Sequence, residues 1–158
     1  MKHRAVLLLA IVLTFAIARA QAPVAPQLSD FAGEWKADFH KQTWLVLTLT
    51  PTKTLTDKRY SGEILTGNLV HATELSADDE GDITKVGDEM STDKIVSVEL
   101  QGTTLQIHTR DEDGIDDHYS LTLTGANAAD LQSISSNGSP APKAFKLKRT
   151  VAAPPTKK

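Results

Sequence analysis

Between residues 30 and 150 the chain alternates apolar and polar positions with a period of two, the signature of strands with one buried face. Residues 43–50 (TWLVLTLT) place Leu45, Leu47 and Leu49 on one face and Thr48 and Thr50 on the other. Residues 118–124 (HYSLTLT) set Tyr119, Leu121 and Leu123 against Ser120, Thr122 and Thr124. Residues 144–149 (AFKLKR) set Phe145 and Leu147 against Lys146 and Lys148. Shorter runs at 31–39, 60–66, 68–75, 94–100, 104–109 and 130–135 follow the same rule, and β-branched residues concentrate in them, as a pleated half-buried surface favours. No stripe of helical period appears in this region.

The punctuation between the runs is rich in Gly, Asp and Asn: Thr66-Gly67-Asn68, Gln101-Gly102, Asp113-Gly114, Thr124-Gly125 and Asn137-Gly138. Gln101-Gly102-Thr103 between two strong runs reads as a tight hairpin. Eight to ten short strands joined mainly by hairpins, without crossover helices, must pair antiparallel. Such a sheet manages its edges by closing into an up-and-down β-barrel or, as the alternative, by splitting into a β-sandwich. Residues 76–93, with Asp78-Asp79-Glu80-Gly81-Asp82 inside them, read as a long acidic loop holding a short strand at 83–86.

The two ends of the chain have a different composition. Lys2 and Arg4 precede an apolar run of 13 residues, 5–17, and Ala18-Arg19-Ala20 supplies a small-x-small cleavage pattern. This predicts a signal peptide over 1–20, since the run is short of the roughly 20 residues that span a bilayer. No later stretch is apolar enough to span. Residues 21–29 read as a disordered linker, 30–150 as the barrel domain and 151–158 (VAAPPTKK) as a disordered tail. The mature protein is expected in the periplasm or outside the cell, soluble and monomeric. Setting aside Lys2, Arg4 and Arg19 leaves 14 basic against 20 acidic residues, a net charge of −6. That balance lacks the basic footprint of a nucleic-acid binder.

Phe31-Ala32-Gly33-Glu34-Trp35 opens the first predicted strand, and Arg149 closes the last. A Gly-x-Trp at the start of a small antiparallel β domain, with an Arg at its end, resembles the lipocalins and related calycin barrels. The chain departs from classical lipocalins in having no disulfide, no clear helix before the last strand and no second or third family motif, and looks closer to the short secreted bacterial lipocalin-like modules. The resemblance implies that Gly33, Trp35 and Arg149 are structural, with the Trp plugging one barrel end beneath the Arg. A guanidinium over an indole face contributes about 0.5–2 kcal/mol.

Zero cysteines exclude thiol catalysis, iron–sulfur clusters and Cys-ligated zinc, and leave apolar burial and sheet hydrogen bonds to hold the fold. There is no Gly-x-Ser-x-Gly elbow, His-Glu-x-x-His, phosphate loop or dinucleotide fingerprint, so no enzyme, catalytic residue or cofactor is expected. His108 and His118 flank an acidic turn on consecutive predicted strands and, with Asp116, are the candidates for a metal or an ionisable site. Residues 78–82 and 111–117 carry enough carboxylates for calcium but not the EF-hand spacing. They read as wet acidic loops, and no metal is expected.

Binding is what remains. The parity of the strands turns Phe39, Leu45, Leu47, Leu49, Leu105, Ile107, Tyr119 and Leu121 toward the barrel interior, and an eight-to-ten-stranded barrel either fills with side chains or holds one small molecule. The leading expectation is a small apolar or amphipathic ligand among these residues. The alternative is a protein-interaction or inhibitor-like accessory module with a packed core. Trp44 has the parity of Thr48 and Thr50. It is therefore exposed near a barrel mouth as a ligand or partner contact, or a bulge turns it inward.

Overall fold

The runs of period two fall largely within strands, those at 60–66 and 68–75 within the same one. The computed structural model describes residues 25–56, 60–134 and 143–150, with the side chains of all but residues 53–63. The expected signal peptide, the start of the linker, the Asn137-Gly138 turn and the tail lie outside the described residues. The strands are β1 (Gly33–Phe39), β2 (Gln42–Thr56), β3 (Tyr60–Ala72), β4 (Leu75–Ala77), β5 (Ile83–Val86), β6 (Met90–Gln101), β7 (Thr104–Arg110), β8 (Asp116–Gly125), β9 (Ala128–Ser133) and β10 (Phe145–Thr150). Eight of them close into an antiparallel barrel in the order β1-β10-β9-β8-β7-β6-β3-β2, and β4 and β5 form a separate hairpin between β3 and β6. The up-and-down barrel is the observed architecture; the sandwich is excluded. Among the described residues no helix is long and apolar enough to cross a membrane.

The connections sort the barrel into two ends. At the closed end lie the Gly102-Thr103 turn, the β8–β9 turn and a one-turn 3₁₀ helix, Leu28–Phe31, which takes in Leu28 and Ser29 from the expected linker. Gly102 sits at φ +62, in the left-handed region the hairpin requires. Phe31 and Trp35 are fully buried here. The Trp35 indole N–H donates to the Phe31 carbonyl at 2.9 Å. Trp35 and Arg149 are opposite one another in the β1–β10 ladder, and the guanidinium carbon lies 4.3 Å from the indole centroid. Arg149 also donates to the Asp30 carbonyl, so its side chain ties the 3₁₀ turn to the barrel. Gly33 takes φ +131, and a Cβ there would lie 3.6 Å from the Arg149 stem.

At the other end, the mouth, β1 and β2 are joined by His40 and Lys41, with φ +47 and +74. Both central residues of this two-residue hairpin are left-handed without being Gly or Asn, and the left-handed region raises the energy of an ordinary residue by about 1–2 kcal/mol. Replacing Lys41 with Gly is expected to stabilise the protein by about 1 kcal/mol, read as a shift in the urea midpoint at unchanged slope.

Two expectations change. Thr66-Gly67-Asn68 is not a turn: residues 60–72 form one strand, paired with β2 through Leu49↔Gly67 and Thr48↔Asn68. Gly67 is needed because a Cβ there would stand 1.8 Å from the Thr48 carbonyl oxygen. Beyond this point β2 has no β1 partner and β3 no β6 partner, and the two continue as a two-stranded ribbon. The segment at 76–93 is also less of a loop than its composition suggests, since β4, β5 and the start of β6 occupy much of it.

Candidate binding site at the barrel mouth

Of the two positions open to Trp44, the bulge is realised. Ala37 pairs with Leu45 and Asp38 with Thr43, so Trp44 is the extra residue of β2 and its parity is broken. The indole turns inward, 3 % exposed, and meets Phe145 edge-to-face at 4.8 Å and 86°. Phe39, at the end of β1, is partly buried against the same cluster, as are Ile83 and Val86 of the β4–β5 hairpin, which folds over the mouth.

Between these elements opens a pocket of about 290 Å³, walled by Phe39, Trp44, Phe145 and Ile83 with Asp38 and Lys143 at its edge. Its polar rim is already organised. The Thr43 hydroxyl donates to Asp38 at 2.6 Å. Lys143 pairs with Asp82 at 3.1 Å, and its amide donates to the Gly81 carbonyl. An aromatic floor under a ring of paired charges accommodates an apolar ring or short chain with a polar end.

The remaining interior candidates lie deeper. Leu45, Leu47, Leu49, Leu105, Ile107 and Leu121 are each 0–2 % exposed and pack on one another in the middle of the barrel. Surfaces that a water-sized sphere does not touch border no void that a ligand would fill. The strand parity of these residues is as expected; the space inside them is filled by their neighbours. A larger groove of about 660 Å³ lies outside the closed end, between Ser29, Asp30, Thr103, Thr124 and Arg149. Pro26, Leu123 and Ala126 share its walls with hydroxyls and backbone but it has no aromatic side chain, and its one guanidinium already serves Asp30 and Trp35.

Just below the mouth the leucine core gives way to polar groups. Asp93 of β6 is 2 % exposed and Thr109 of β7 fully buried. The His71 imidazole Nε2 lies 3.2 Å from the Asp93 carboxylate, and its Nδ1 is 3.0 Å from the Ala72 carbonyl. The second Asp93 oxygen and the Thr109 hydroxyl have no hydrogen-bond partner among the described residues. Burial pushes the Asp93 carboxyl above the usual range against the pull of His71, and the negative charges of Asp117 and Asp111 add to the push. Burial likewise raises the Tyr119 phenol, with Asp117 and Asp93 contributing. Strand parity alone does not reveal this layer. Its signal was a polar residue in apolar phase: Thr109 follows Leu105 and Ile107 at intervals of two.

The outer-face candidates do come together. His108 and His118 are opposite one another in the β7–β8 ladder, and their rings stack at 4.4 Å and 9°. Asp116 lies 3.4 Å from His108 but is gripped by the Arg110 guanidinium at 2.6 and 3.0 Å. That bidentate pair holds the Asp116 carboxyl below its usual range. Parallel rings do not aim their nitrogens at a common point, and among the described residues no group of three His, Asp or Glu is placed to hold a metal. In the acidic loops, Asp78 accepts from the amides of Glu80 and Asp82, and Asp111 from that of Ile115. These carboxylates close their own turns.

The architecture defines a small antiparallel eight-stranded barrel closed at one end by a Trp–Arg clasp. Compared with known proteins, the chain matches no protein family, no curated protein and no solved structure.

Proposed function

We propose that the chain is an exported, non-enzymatic, lipocalin-like binding module that holds a small apolar or amphipathic molecule at the barrel mouth. The observation that carries this reading is the aromatic pocket of Phe39, Trp44, Phe145 and Ile83, open to solvent beside a barrel interior already full of side chains. The Gly33–Trp35–Arg149 clasp supports the lipocalin-like part. The n-region, apolar run and Ala18-Arg19-Ala20 of the sequence support export.

Trp35 and Trp44 are the only tryptophans, and they sit at opposite ends of the barrel. Titration with octanoate, decanoate and a short-chain quinone is expected to quench or shift the emission saturably, and Trp44→Phe to abolish the response. No saturable change with any of them, or a response that survives Trp44→Phe, overturns the mouth as the site.

The second reading, a protein-interaction module, is favoured by Leu75, Met90, Ile115 and Ile134. These exposed apolar residues all fall on mouth-side connections or strand ends. A flat fluorescence titration together with stable capture of another exported protein would favour it.

A further inference from the structure

We propose that His71 and Asp93 form a one-proton lock on the seam between β3 and β6: while the pair keeps the proton it shares, the β4–β5 hairpin stays closed over the mouth, and loss of that proton opens it. The inference rests on the fold and holds whatever the mouth binds.

The bonding pattern counts the proton. A carbonyl only accepts, so the bond to Ala72 requires a hydrogen on His71 Nδ1. Nε2 then carries either a lone pair or a second hydrogen. Facing it at 3.2 Å, the Asp93 oxygen must supply the complement, O–H to a neutral ring or O⁻ to a charged one. Either way one proton lies between them. Removing it sets two lone pairs against each other and leaves an uncompensated carboxylate in an almost fully buried site.

The other charges around the site oppose that loss. Asp111 follows β7, and Asp117 and Tyr119 lie on β8; the two carboxylates make a second negative charge less favourable, and the phenol is neutral. Among the described residues, His71 is the one basic group that acts on Asp93 from β3, the strand across the seam, and Lys94, next along β6, is exposed. The unpartnered Asp93 oxygen receives no donor that would favour the ionised form.

The lock sits where it can act. His71 pairs with Ser91 and Leu69 with Asp93, in the last turns of the β3–β6 ladder before the chain leaves for the hairpin. The hairpin's stem begins immediately beyond, with the amide of Thr73 bonded to the Glu89 carbonyl and that of Gly87 to the Glu74 carbonyl, both at 2.9 Å. Asp93 gains its missing solvation when this end of the seam parts, so its ionisation and the opening are linked.

The sign follows from linkage. With its affinity for the proton raised, the closed state binds a proton that the opened state releases. Opened, the pair still holds one proton on the solvated imidazole until pH passes the ordinary imidazole range, and it holds two below the ordinary carboxylate range; closure is therefore strongest between those ranges and weakens as pH rises above that of the imidazole. For release of one proton, protection of the Thr73 and Gly87 amides, corrected for intrinsic exchange, should fall about tenfold per pH unit from the ordinary imidazole range up to the closed-state value and level off above it. Amides of the β1–β2 ladder should show no such slope. In Asp93→Asn the amide donates to His71 Nε2 without titrating, and protection at Thr73 and Gly87 should be flat with pH. The same slope in Asp93→Asn, or no slope in the native chain, overturns the proposal. Should that variant not fold, the carboxyl carbon of Asp93 followed by NMR in the native chain decides. With the His71 ring signals followed alongside, loss of the shared proton above the ordinary imidazole range is required, and loss of it within or below that range refutes the lock.

Discussion

Trp35→Ala is expected to destabilise the protein by about 3–5 kcal/mol, the range for removing a large buried aromatic from a core that relaxes only in part. Trp35 is fully buried, bonded through its indole N–H to Phe31 and covered by the Arg149 guanidinium. Its loss therefore removes a large apolar surface, frees a buried carbonyl and strips the clasp of its platform at once. Arg149→Met isolates the last part, because the stem remains against Gly33 while the charge is gone. That variant should lose only about 1–2 kcal/mol, combining the cation–π contact with the bond to the Asp30 carbonyl. Urea unfolding of both variants gives the comparison. A loss below 1 kcal/mol for Trp35→Ala would mean that the closed end is not held by this residue, and the lipocalin-like reading would lose its support.

The sequence made the barrel legible because one-sided burial writes itself as parity. The runs at 43–50, 104–109, 118–124 and 144–149 lie within β2 and β7 and almost coincide with β8 and β10. The same signal says which way a side chain faces, not how much room it meets. Hence Leu45, Leu47 and Leu121 were placed inward correctly while the state of the space between them was not legible. Local rules also hide where two structures share one residue type. Gly67 reads as a turn beside Asn68, but the need for glycine arises from a carbonyl on a strand that is distant in sequence. The His40-Lys41 hairpin has the opposite problem, adopting turn dihedrals with residues that carry no turn signal. Trp44 was undecidable from parity because one extra residue in a ladder reverses every position after it. The polar layer was hidden for a related reason: Asp93 is four positions past the Asp88-Glu89 pair of the acidic segment and reads as its continuation, and only pairing with β3 turns it inward.

Glycine substitutions offer a direct measure of how much of the barrel depends on one close approach. At Gly67 an added Cβ falls 1.8 Å from the Thr48 carbonyl oxygen and 2.9 Å from its carbon. Both are backbone atoms inside a ladder, so relief requires β2 and β3 to separate where the sheet passes from barrel to ribbon. Gly67→Ala is therefore expected to destabilise by about 3 kcal/mol, the upper end for overpacking, with additional strain from its positive φ. At Gly102 the same methyl meets nothing within 4 Å, and only the left-handed φ of +62 resists it, so Gly102→Ala should lose about 1 kcal/mol. At Gly125 the nearest atom is the Ala128 methyl at an ordinary 3.7 Å, with no positive φ, so Gly125→Ala should be neutral or slightly stabilising. The ranking is the test, because all three changes add the same atom to the chain and alter its unfolded state alike. Were urea midpoints to place Gly67→Ala level with Gly102→Ala, the β2–β3 register at Thr48 and Gly67 would be wrong. The neighbouring pairing of Leu69 with Asp93, which carries the buried carboxyl to the mouth, would then need to be redrawn with it.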